Sequence, residues 1–285
     1  MNINGKNRRG RSRFRTALVL AVILLAGLYG YGRFIEPYRL SVTEEEITIE
    51  GYFRSPGTVR IVFLADLHII DAGRRERRLL ETVEELAPDL ILIAGDFIKT
   101  GADPGETIAA AARLRAPLGV YGVVGNIDIS HRQSRRLLQG LEAAGVDMLR
   151  DRRRRLRAGD LEFDLVGFDL NPSQEEVAEV FAGRESGFPQ IVLTHWPYLL
   201  DILTPHQPEL ILCGHTHGGQ VRLPVFGSFF ARLLAGTHYD QGLFTVLGSR
   251  VYVTRGVGMT THQIRLFCPP EIVFLTVNFV NREFQ

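Results

Sequence analysis

Between Val59 and His217 a short apolar run stops five times at residues that can ligate a metal. Residues 59–65 run into Asp66-Leu67-His68, 90–94 into Gly95-Asp96, 120–124 into Gly125-Asn126, 190–194 into His195, and 209–213 into Gly214-His215-Thr216-His217. Apolar runs of this length bounded by glycine and polar residues read as buried strands. The segments 75–86, 105–114, 132–144, 174–182 and 197–203 fit helices. Strands alternating with helices imply a layered α/β domain with parallel pairing. In such a domain, ligands gather outside the carboxyl ends of the strands. Taken singly these residues are ordinary: an aspartate after a strand is often a helix N-cap, and a lone His-x-His can be chance. Their joint occurrence, in this order, is not something folding requires.

Asp66, His68, Asp96, Asn126, His195, His215 and His217 together offer mixed oxygen and nitrogen ligands. That is too many for one tetrahedral zinc. It suits two divalent ions sharing one carboxylate, a pair that clamps the oxygens of an in-line displacement at phosphorus. Carboxylate, amide and imidazole together point to manganese, iron, zinc or cobalt ahead of magnesium or calcium.

Further strands are expected at 163–168, 244–247, 251–254 and 272–278, and a first strand or hairpin at 46–52. From residue 221 onward strands dominate, which predicts a second, more antiparallel sheet within the same domain. The domain boundaries read as a basic tail at 1–16, an apolar run at 17–32, a linker and first hairpin at 33–57, and the main domain at 58–285. With 285 residues, 45% of them hydrophobic, the chain can bury a sizeable core. Its two cysteines exclude a disulfide framework, and Cys213, ending an apolar strand, reads as a buried thiol.

The run Ala17–Gly32 is uncharged and 16 residues long. A spanning helix needs about 20, so Phe14, Phe34 and Ile35 would extend it, with Arg13, Arg15 and Arg33 snorkelling. No small-x-small cleavage site follows, so an uncleaved membrane anchor is expected. Six cations precede the run and few follow it, which predicts a cytoplasmic N-terminus and a body on the outer side. With so many cations in the first 35 residues and a net charge of +1 overall, the body is acidic, which argues against nucleic acid as partner. Two segments remain ambiguous. Val221–Leu234 is either core or an apolar lip for an acyl chain. Arg152–Arg155 is either a solvated turn or an anion site.

In the order Asp-x-His, Gly-Asp, Gly-Asn, His, Gly-His-Thr-His, over roughly 60–220, the chain resembles the calcineurin-like metallophosphoesterases. Gly218-Gly219-Gln220 and Arg255-Gly256-Val257-Gly258 resemble their membrane-associated bacterial branch, which includes UDP-2,3-diacylglucosamine diphosphatases of the lipid A pathway. The resemblance implies a four-layer α-β-β-α sandwich of two mixed sheets behind one transmembrane helix. It implies Asp66, His68 and His217 on one metal, Asn126, His195 and His215 on the other, and Asp96 bridging. It also implies a phosphorylated substrate, and the anchor together with the apolar 221–234 segment leads to the expectation of a lipid-linked or nucleotide-linked one.

The family usually carries a histidine after Gly-Asn, held to protonate the leaving group. Here the run is Gly125-Asn126-Ile127-Asp128. Three readings stay open: the leaving group needs no proton, as in a diphosphate; a neighbour substitutes, with His131 nearest and Asp128 also at hand; or the site is slow, or serves a non-catalytic binding module.

Overall fold

The computed structural model describes residues 4–222, 227 and 239–282. Most of the 221–234 segment therefore lies outside the described residues. Helix α1, Asn4–Phe34, opens the chain, and a 3-10 turn at Glu36–Tyr38 leads into strand β1, Ser41–Gly51. Then follow β2 (Gly57–Leu64), α2 (Arg74–Leu86), β3 (Leu90–Ala94), α3 (Pro104–Ala111), β4 (Val120–Val123), α4 (Asn126–Ser130), α5 (Ser134–Ala143) and β5 (Val146–Met148). The second half holds β6 (Arg152–Ala158), β7 (Leu161–Phe168), α6 (Gln174–Ala182), β8 (Gln190–Thr194), α7 (Leu200–Leu203), β9 (Leu210–Cys213), β10 (Gly242–Val246), β11 (Ser249–Val253) and β12 (Glu271–Asn281).

Two six-stranded mixed sheets result, ordered β1-β12-β2-β3-β4-β5 and β10-β11-β9-β8-β7-β6. The alternation of side chains along each strand shows why they stack with helices outside. Ile61, Phe63, Leu90 and Leu92 of the first sheet share one core with Leu165, Ile191, Leu193, Leu210 and Leu212 of the second. The intervening residues Val62, Leu64, Ile91 and Ile93 pack on Leu79 and Val83 of α2 and Leu137 and Leu141 of α5. On the far side, Val166, Val192 and Ile211 meet Val177 and Phe181 of α6 and Leu200 and Leu203 of α7. Strands covered on both faces must be apolar throughout, and β3, β8 and β9 are buried at every position. The fold is the expected four-layer sandwich.

Several expectations need correction. The arginine run read as a turn is strand β6, paired antiparallel with β7 at the edge of the second sheet. Its cations are spent on carboxylates: Arg152 and Arg154 on Asp147, Arg155 on Asp164 and Glu185. Charge on an edge strand also blocks further strand addition. The strands beyond residue 221 do not build a separate antiparallel sheet. β11 runs parallel to β9, and β12 crosses to the first sheet, antiparallel to β2 and parallel to β1. β1 thus finds its partner at the far end of the chain rather than in a hairpin. The helix expected at 132–144 is present as α5, and an additional short helix, Asn126–Ser130, turns directly off β4 before it.

Helix α1 is long and apolar enough to cross a membrane over Arg13–Tyr38. Its end is fastened to the body. The Arg265 N–H donates to the Gly32 carbonyl at 2.9 Å, and the buried Glu36 carboxylate accepts the N–H groups of Phe267 (2.9 Å) and Cys268. Only glycine fits at 32, since a Cβ would lie 2.8 Å from the Arg265 carbonyl oxygen.

Candidate metal centre

Parallel strands deliver their ends to one edge, and the neighbouring ends are tied through the backbone. Asp66 N–H donates to Gly95 O (3.0 Å), His68 N–H to Asp96 O (3.0 Å), and Gly214 N–H to His195 O (3.1 Å). The turns are tight enough to force unusual backbone. Asp66, His68, Asp96, His215 and His217 all have φ between 43 and 71°, a region that non-glycine residues occupy at a cost and that clusters at functional sites. Gly125 leaves no room for a side chain, because a Cβ there would collide with the Asp96 carboxylate.

All seven expected ligands converge. His217 Nε2 lies 3.2 Å from His68 Nε2 and 3.4 Å from Asp66 Oδ1. Asp96 Oδ2 sits between two histidines, 3.6 Å from His68 Nε2 and 3.7 Å from His195 Nε2. His195 Nε2 lies 3.1 Å from both Asn126 Oδ1 and His215 Nδ1. Two sets of ligand atoms, Asp66-His68-His217 and Asp66-Asp96-His195, fall within 4.8 Å of one another. The two sets share Asp66, and Asn126 and His215 adjoin the second through His195.

The donor chemistry fits cations. His195 Nδ1–H donates to the Ala94 carbonyl at 2.7 Å, so its Nε2 carries a lone pair. The indole N–H of Trp196 donates to Asn126 Oδ1 at 3.3 Å, which fixes that atom as the amide oxygen. Two lone pairs thus face each other at 3.1 Å. Asp66 Oδ1 is buried without a hydrogen-bond partner. A buried carboxylate oxygen left without a donor is costly unless a cation lies beside it.

Electrostatics agree. Burial pushes His68 and His215 down to about 3 and His195 to about 4, so all three are neutral. Burial lowers His217 well below its usual value too. Burial raises the Asp96 carboxyl to about 7 and, with Asp96 as the next cause, lifts Asp66 and moves Asp128 to about 8. Carboxylates crowded this way hold protons unless positive charge offsets them.

Asp128 and His131 stand apart from the seven. Asp128 is a brace. Its Oδ1 accepts the N–H of Phe97 (2.9 Å) and Ile98 (3.3 Å), and its Oδ2 that of Gly125 (2.9 Å). His131 Nδ1 accepts from Gln133 N–H, and its Nε2 is buried without a partner. Among the described residues no hydrogen bond joins it to the centre. The Ile127 side chain packs on the helix-side core, while its N–H donates to Asp96 Oδ1 at 2.8 Å.

Sequence reading passed over Trp196 and Lys99. Trp196 is the single tryptophan and follows His195 directly. Lys99 follows Asp96 by three and shares a cavity with His68.

Comparison with known proteins agrees with this geometry. Over 275 residues the chain is 29% identical to the uncharacterised metallophosphoesterase YkuE of Bacillus subtilis, covering 93% of this chain and 95% of that one. It is 28% identical to the phosphodiesterase YaeI of Escherichia coli over 93% of this chain and 98% of the other. It is 23% identical to the UDP-2,3-diacylglucosamine pyrophosphatase LpxG of Chlamydia muridarum, over 91% and 95%. The model of the calcineurin-like phosphoesterases matches residues 59–219, the stretch that carries all seven converging side chains, and the chain belongs to that family of phosphoester hydrolases.

Proposed function

We propose that the chain is a membrane-anchored phosphoesterase or phosphodiesterase that uses two divalent ions, manganese, iron or zinc. The observation that carries this is the pair of ligand sets meeting at buried carboxylates. Asp66, His68 and His217 would hold one ion, Asn126, His195 and His215 the other, with Asp96 between. Ions so held supply positive charge at phosphorus and acidify an attacking water. The protein's part is orientation. Ala94 fixes the His195 tautomer, Trp196 fixes the Asn126 amide, and the Ile127 amide holds Asp96.

Ile127 has no proton to give. An ester whose leaving group departs without one, such as a diphosphate or an aryl phosphodiester, therefore suits the site best. A lipid-linked diphosphate of the UDP-2,3-diacylglucosamine kind accords with the resemblance to LpxG and with α1. The charge around α1 favours a cytoplasmic N-terminus and a body on the outer side, where another envelope phosphoester would be the substrate. A reporter fused after Gln285 tests that orientation.

The functional test uses the full chain in detergent with Mn²⁺, offered an aryl phosphate, an aryl phosphodiester and UDP-2,3-diacylglucosamine. Turnover of at least one, lost in Asp96→Asn and His217→Ala, is expected. Metal bound without any turnover would establish instead the rival reading that Ile127 favours, a metallophosphoesterase fold kept as a binding module.

A further inference from the structure

One cavity of about 490 Å³ begins at His68 and ends at α1. Its floor carries His68, Lys99 and Arg75, and its rim Phe34, Tyr38 and Ile70. Lys99 Nζ donates to the carbonyls of Met259 (2.7 Å) and Thr260. Both partners are neutral, so the ammonium charge has no carboxylate opposite it among the described residues, and a third N–H remains. Arg75 is paired with Glu76. The rim is the reverse in character: Phe34 is 66% exposed, Tyr38 45% and Ile70 45%. Phe34 is the last residue of α1, and Tyr38 ends both the following turn and the span that can cross a membrane.

This juxtaposition is held by hydrogen bonds. Gly32 and Glu36 fasten the end of α1 to residues 265–268. Cys268 Sγ–H in turn donates to the His217 carbonyl at 3.3 Å. The candidate metal centre is thus held at a fixed distance from the bilayer surface that α1 would define.

We propose that this cleft draws its substrate sideways from the lipid surface. The phosphoester group enters past Lys99 to the metal centre, while the acyl or alkyl part stays among Phe34, Tyr38 and Ile70 and the adjoining bilayer. Charge complementarity selects a phosphate for the floor, and continuity with α1 selects lipid for the rim. The inference rests on the phosphoesterase reading of the same site and narrows its substrate class to membrane-resident amphiphiles.

The test places the full chain in phosphatidylcholine vesicles with Mn²⁺ and compares hexadecyl 4-nitrophenyl phosphate with its ethyl analogue. In both, a water oxygen bonds to phosphorus, the bond to the nitrophenyl oxygen breaks, nitrophenolate leaves with the electron pair, and the water's proton passes to solvent. The hexadecyl ester is expected to show kcat/KM at least about tenfold higher, because its chain concentrates it at the surface the cleft faces. Ile70→Asn and Tyr38→Ser should bring that ratio toward one, and Leu247→Asn, a still more exposed apolar site on the β10–β11 turn, should not.

A second readout needs no activity. Cys213 and Cys268 are buried, so a bimane label on Ile70→Cys reports alone. Brominated phosphatidylcholine should quench it and leave a label on Leu247→Cys bright. Equal kcat/KM for the two esters, or an unquenched label at position 70 while the ethyl ester is still hydrolysed, overturns the inference alone. Quenching at 70 with neither ester hydrolysed overturns the hydrolase reading, and this inference with it.

Discussion

At the scale of single residues, protonation decides when the centre can accept metal. The histidines are already neutral at pH 7, since burial holds His68, His195 and His215 at about 3 to 4. They offer no proton competition until strongly acid pH. Asp96 is different: burial raises it to about 7, and its neighbour Asp66 is lifted as well, so below that pH a proton occupies a carboxylate that an ion would use. Apparent Mn²⁺ affinity should therefore fall about tenfold for each unit below about pH 7 and level off above it. Calorimetric titration across that range checks this, and a flat profile would show that Asp96 is ionised before metal arrives. Ile127→His is the complementary probe. A general acid is worth about 10²–10⁴ in rate, so the variant should gain substantially on alkyl phosphates and little on nitrophenyl esters. A uniform gain on both would mean that the side chain steadies the transition state by charge instead.

At the scale of elements, the centre depends on loops that brace one another. Asp128 joins the loop after β3 to the loop after β4 through three N–H groups. In Asp128→Asn one oxygen remains for Phe97 and Ile98, but an amide NH₂ then faces the Gly125 N–H. A buried donor left unsatisfied costs about 1–3 kcal/mol. The midpoint of chemical denaturation should fall accordingly, and metal affinity with it. The brace also accounts for Asp128 in a position that suggested proton transfer from sequence alone: its lone pairs are already engaged. The α1 junction works in the same way. Glu36→Ala removes the acceptor for Phe267 and Cys268 and should raise hydrogen exchange across 264–268, whereas Glu36→Gln, keeping one acceptor oxygen, should do so less.

At the scale of the whole molecule, α1 and the body meet as one structure rather than as anchor and cargo. A chain beginning before Gly32 keeps both fastenings, and one beginning at Leu40 loses both. The shorter form should melt lower, by about 2–4 °C for each kcal/mol lost in a body of this size, as calorimetry would show. Much of this protein is legible without a structure. Where β3 and β8 lie, that two layers of helix must cover them, and which side chains stand at the strand ends all follow from local pattern. A strand buried on both faces has to be apolar, and a turn at its end has to be polar or glycine. Ligand type and order are local as well. Partner identity is not. That β12 inserts between β1 and β2, that the arginines of β6 form an edge, that Asp128 braces while Asp96 sits between histidines, and that Glu36 pins α1 beside the cleft are all contacts between distant parts of the chain. Periodicity records whether a residue is buried, because burial repeats with the element's own geometry. It does not record against what, because that is set by how the crossovers return the chain.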